Sequence, residues 1–156
     1  MMPHDWAHAA YEAARREDNN AIAACLTELV DAGGSDAMQW AARRWMERTR
    51  YVMVHSGQFA GFTLTPDNTS TDRAMDVDQA PAAAAWSGRL FMAYETDDRL
   101  QWDALWRLVG DTPEGLHHAG YAVLRMMTLT AAGYAEEHDC ADLELKATRM
   151  ALAHRN

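Results

Sequence analysis

Apolar residues recur at helical spacing along most of the chain. Over residues 5–17, Trp6, Ala10, Ala13 and Ala14 fall on or near one face, which predicts a helix. Asp18-Asn19-Asn20 supplies turn and N-cap chemistry. A second helix is expected over about 21–32, where Ile22, Cys25, Leu26, Leu29 and Val30 follow the i, i+3, i+4, i+7, i+8 template. Gly33-Gly34 should end it, and Ser35 or Asp36 can cap a third helix running to about Val54. The core stripe of that helix is Met38, Ala41, Ala42, Trp45, Thr49 and Val52. Trp40, Met46 and Met53 fall off the stripe, so this helix is expected to be central or part of an interface.

Residues 56–81 break the pattern. Gly57, Gly61, Pro66 and Pro81 punctuate them, Phe59, Phe62 and Leu64 allow a short extended piece, and 67–78 reads as a solvated acidic loop. Helices resume at Ala82. One is expected over 82–95, with Trp86, Leu90, Phe91 and Tyr94 apolar. Thr96-Asp97-Asp98 caps the next, which carries Leu100, Leu105, Leu108 and Val109, with Trp102 and Trp106 on a different face. Thr112-Pro113 opens another, with Gly115 allowing close approach and a stripe of Leu116, Gly120, Val123, Met127, Ala131 and Tyr134. A last helix is expected over 139–154, with Leu143, Ala147 and Met150 inward.

The two halves resemble each other. Ala10-Tyr11-Glu12 matches Ala93-Tyr94-Glu95, Asp18-Asn19 matches Asp97-Asp98, and Leu26, Leu29 and Val30 match Leu105, Leu108 and Val109. The units do not keep the ~34-residue period of a tetratricopeptide array. The fold expected is an all-α helical bundle of six to seven helices in one domain, residues 1–156. Two related three-helix units, 5–54 and 82–135, would be joined by the loop 56–81.

Charge narrows the choice of function. Twenty-three acids against 14 bases give −9, which argues against a nucleic-acid or anionic-membrane binder. No apolar run reaches the ~20 residues of a membrane span, and no leader pattern opens the chain. Cys25 and Cys140 belong to no metal or redox motif, so a reducing cytoplasm is the expected compartment.

Candidate chemistry is sparse. His4, His8 and Glu12 share a helix face, but two turns spread them over about 12 Å, too far for one ion. His117-His118 could place one imidazole in the bundle interior. His138-Asp139 lacks the distant partners of a metal-dependent phosphohydrolase. Nucleophile elbows and phosphate-binding Gly-rich loops are missing. The reading is therefore of a chain with no catalytic residues, cofactor or metal. Arg43, Arg44, Arg48 and Arg50 form the one basic cluster and, with Trp40, Trp102 and Trp106, make the candidate interaction surface. The leading expectation is a non-catalytic adaptor or regulatory module that binds an unidentified protein partner and self-associates as a homo-oligomer. A second is a hydrophobic-ligand pocket lined by Trp45, Trp86, Met126 and Met127. A third is a nucleic-acid-linked regulator using Arg43 to Arg50.

Overall fold

A computed structural model describes residues 3–55 and 80–137. Among them the chain is all-helical, with five helices and no strand: α1 Pro3–Arg15, α2 Asn19–His55, α3 Ala80–Glu95, α4 Arg99–Val109 and α5 Pro113–Glu137. The class is the expected one. The helices expected at 21–32 and 36–54 are one 37-residue element, α2, kinked at Gly34 (φ 58°, ψ −134°). Glycine reaches that conformation at no Cβ cost, so the first arm stops at Gly33-Gly34, as expected, and the second sets off in a new direction. The helix expected at 139–154, the acidic loop at 67–78 and His138-Asp139 lie outside the described residues.

Two turns decide the topology, and they are built alike. After α1, Glu17 takes a left-handed φ of 57°; after α3, Asp97 takes 53°. Asp18 N–H then donates to Ala13 O and Asp98 N–H to Ala93 O, both at 2.9 Å, while Glu17 and Asp97 N–H reach Ala14 O and Tyr94 O. These are the paired bonds of a Schellman helix end. The same aspartates start the next helices, since Asp18 Oδ1 accepts from Ala21 N–H and Asp98 Oδ1 from Gln101 N–H, each at 3.1 Å. The matching positions are thus 80 apart, not the 83 and 79 suggested by the residue identities.

Burial follows a similar register in the long helices. Met38, Ala41, Ala42, Trp45, Met46, Thr49 and Met53 are buried in α2. Leu116, Ala119, Gly120, Val123, Leu124, Met127 and Ala131, each 78 positions further on, are buried in α5. One apolar cluster joins all five helices, with Trp45, Trp86, Leu26, Leu29, Met38 and Leu90 at its centre. Each such side chain contributes about 1.5–3 kcal/mol by leaving water. Met46 and Met53, off the expected stripe of α2, are buried as well. They are buried because α2 is central, packing on α1, α5 and α3. Gly120 lets α5 come close to both arms of α2: a Cβ there would stand 2.5 Å from Met38 Sδ and 3.2 Å from Leu26 Cδ2.

One stripe is corrected. In α4 the inward residues are Trp102, Leu105 and Trp106, whereas Leu100 and Leu108 are 81% and 64% exposed. The helix offers two apolar faces, and the one with two indoles removes more area from water.

Candidate functional site

The Arg cluster turns inward or pairs locally. Arg48, only 2% exposed, lies over the Tyr11 ring with its carbon 3.9 Å from the centroid, and its Nη2 donates to Glu12 Oε1. Arg44 pairs with Glu47 at 2.8 Å and covers Trp40 at 5.6 Å. Arg43 stacks on Trp102, 4.7 Å from the centroid. Arg50 reaches Glu95 at the end of α3, at 2.6 Å. Each of the four guanidiniums has a carboxylate or an aromatic ring of the same chain as neighbour.

Behind Arg48 runs a buried hydroxyl relay. Thr49 Oγ1 donates to Met127 O at 3.1 Å. Its single proton is thereby used, so Tyr11 Oη donates to Thr49 Oγ1, also at 3.1 Å. This relay ties α1 to α2 and α2 to α5. Burial raises the Glu12 carboxyl pKa, but the Arg48 hydrogen bond and charge, with Arg15 and His8, outweigh it and hold it below its ordinary value. Burial also raises the Tyr94 hydroxyl, helped by Glu47 and Glu95, and the Cys25 thiol.

The tryptophans are structural in this arrangement. Trp102 and Trp106 are 3% and 4% exposed, so neither projects as a surface anchor. Trp102 Nε1 donates to Gln39 Oε1 at 2.9 Å, and Trp106 packs edge-on to Trp86 at 5.3 Å. Of the four expected pocket residues, Trp45 and Met127 lie in the core, with Trp45 Nε1 donating to Ala7 O at 2.8 Å. Trp86 Nε1 donates to Leu105 O, and its ring borders a small cavity of about 80 Å³ beside His118 and Gly115. Met126 alone of the four faces a larger opening.

That opening is a groove of about 830 Å³ between α3 and α5, where Ala83, Ala84, Ala122, Met126 and Leu129 make the apolar surface. Its edge carries His117, His118, Tyr121 and Arg125, and Leu129 is 56% exposed. His118 is exposed and His117 Nε2 lies 3.3 Å from Ala23 O, so neither imidazole enters the bundle interior. The α2 positions 78 residues earlier are different. Trp40 stands for His118, Arg44 for Ala122, Arg48 for Met126 and Tyr51 for Leu129. Among the described residues, large side chains cover that face of the α1–α2 region, and small ones leave the α3–α5 face open. Ala122 and Leu129 give no signal in the sequence, because alanines and one leucine off the main stripe carry no chemical signature.

Among the described residues no group of three His, Cys, Asp or Glu is placed to hold an ion. Glu12 is engaged by Arg48, and His4 lies 3.6 Å from Asp5. No helix of the described residues is long and apolar enough to cross a membrane. No protein-family model, curated protein or solved structure matches the chain.

Proposed function

We propose that this chain is a non-catalytic protein–protein interaction module that docks its partner through the α3–α5 groove. The observation that carries the reading is the groove itself: among the described residues, apolar surface is open on one region where the matching face of the other is covered by the chain's own side chains. Exposed apolar patches of this kind mark interaction sites. On this reading α1–α2 and α3–α5 are two related units, of which the second has kept its face free for a regulatory or adaptor role. The internal pairing of Arg43, Arg44, Arg48 and Arg50 supports this function over a nucleic-acid-linked one, because guanidiniums held by Glu12, Glu47, Glu95 and Trp102 have less charge to offer phosphates.

The test is an Ala122→Trp variant, which places a large ring where the first region has Arg44. In-cell crosslinking of the native and plugged chains, read by mass spectrometry, should show a partner that the plug removes. An unchanged set of crosslinks would sink the proposal. Light scattering on both chains reports self-association through the same face.

A small hydrophobic ligand is the second reading. It is favoured by the volume, which falls in the ~300–1,000 Å³ range of ligand sites, and by Met126 on the wall. Native mass spectrometry of the purified chain would show a bound lipophile if this reading held.

A further inference from the structure

We propose that the α3–α4 turn carries a binding site for a small zwitterion of the α-amino-acid class. The site is a cavity of about 140 Å³ between α2, α3 and α4, and it shares no residue with the α3–α5 groove. Its floor is apolar and buried, made by Ala93 and Trp102. The Arg43 guanidinium lies over the Trp102 ring, 4.7 Å from the centroid, so one flat face is used and the N–H edges remain for a ligand. Asp97, Asp98 and Arg99 form the exposed rim.

Two cations and two anions therefore line one small cavity. Among the described residues, none of the four makes an ion pair. A simple anion would meet two carboxylates there, and a simple cation two guanidiniums. A ligand with both charges a few bonds apart finds a counterpart for each. Its carboxylate would accept from Arg43 and Arg99, as the planar guanidinium fork suits. Asp98 Oδ1 is engaged by the Gln101 N–H, so the ammonium would donate to Asp97 and to Asp98 Oδ2. The ligand's side chain would rest on Ala93, beside half-buried Tyr94. The volume lies below the ~300 Å³ lower end of drug-sized sites, which suits a ligand the size of one amino acid.

The first turn shows the same scaffold satisfied by its own side chains. Glu17 and Asn19 stand 80 positions before Asp97 and Arg99, and Tyr121 stands 78 after Arg43. Tyr121 Oη donates to Asn19 Oδ1 at 3.4 Å, and Arg125 Nη1 to Ala14 O at 3.2 Å. Arg125 Nη2 lies 3.9 Å from Glu17. Side chains of α5 thus meet the polar groups of the first turn. At the second turn Arg43 of α2 stacks on Trp102 and pairs with neither Asp97 nor Asp98. A bound zwitterion would make that link, joining α2 to the α3–α4 turn.

Thermal unfolding of the full chain with each standard L-amino acid at millimolar concentration tests this. At least one should raise the midpoint in a dose-dependent way. The same molecule lacking its amino group, or lacking its carboxylate, should bind roughly 10- to 100-fold more weakly by calorimetry, because each loss leaves site charges unmet. Asp97→Asn keeps a residue type that accepts the left-handed turn, so the unliganded midpoint should hold. It should erase the preference for the amino acid over its deamino analogue. Arg43→Met should erase the preference over the decarboxylated analogue. Neither substitution touches the groove, so the outcome is independent of the docking reading. No midpoint change with any amino acid would overturn the proposal. A deamino analogue that binds as tightly as the amino acid would reassign the cavity to plain anions and overturn it too. Binding that survives both substitutions unchanged would place the ligand elsewhere on the chain, with the same result.

Discussion

The α1–α2 region and the α3–α5 region start from the same turn and fill the space beyond it differently. In the first, Tyr11, Glu12, Arg48 and Thr49 form a hydrogen-bonded and ion-paired cluster. At the matching positions the second has Phe91, Met92, Met126 and Met127. The same turn geometry thus serves a polar core and an apolar one. The polar version gives directional contacts and closes the surface with long cationic side chains. The apolar version offers no side-chain hydrogen-bond donor at these four positions, and among the described residues its surface is open between α3 and α5. The scaffold leaves the choice free, and the side chains beyond the turn decide which face meets solvent.

Converting one region into the other is the strongest test of this comparison. Arg48→Ala should cost about 3 kcal/mol, because Glu12 loses its cation and the Tyr11 face its guanidinium. Glu12→Met combined with Arg48→Met copies the second region and should return the chain to within about 1 kcal/mol of native. Urea unfolding midpoints measure both. If the double variant is as weak as Arg48→Ala, the two cores are not interchangeable. Next in size is Gly120→Ala, which installs the residue found at the matching position Ala42. Its Cβ must displace Met38 Sδ, so a loss of about 1–2 kcal/mol is expected in the same measurement.

Acid should weaken the first region before the second. The Glu12 carboxyl is held below its ordinary 4.5 in the folded chain. A carboxyl so shifted adds stability above its unfolded value, and that contribution is lost as pH falls from about 4.5 through the folded value. Hydrogen exchange followed from pH 6 to pH 3 should therefore show amides of α1 opening first, and Glu12→Gln should flatten that dependence. The smallest expected effect concerns the turns themselves. Glu17→Gly should stabilise by about 0.5–1 kcal/mol by relieving a left-handed non-glycine residue. Asp97→Gly should gain less, since aspartate tolerates that conformation better. Thermal unfolding of the two variants compares them directly.

Much of the scaffold was legible from periodicity and punctuation. The stripe Ile22, Cys25, Leu26 and Leu29 is buried as its spacing implied. Asp18, Asp98 and Thr112 cap helices as their side chains allow, with Thr112 Oγ1 accepting from Gly115 N–H at 3.1 Å. Gly33-Gly34 was ambiguous because two glycines favour a helix end and a kink equally. Trp102 and Trp106 were misplaced because α4 has two apolar faces and the tertiary partner alone selects one. Arg48 was read as surface because helical spacing cannot reveal that Tyr11 and Glu12, some 36 residues earlier, close over it. The groove was least visible, since it depends on what Ala83, Ala84 and Ala122 do not fill.

Asp18 and Asp98 each belong to two helices at once, as the last link of one end and the first acceptor of the next. The chain therefore has no spare residue at either corner. One inserted residue would turn the following helix by about 100° relative to the preceding one. Ile22 and Leu26, or Trp102 and Trp106, would then swing away from the core. These corners should accept changes of residue type far more readily than changes of length, and so act as the protein's fixed measure of distance.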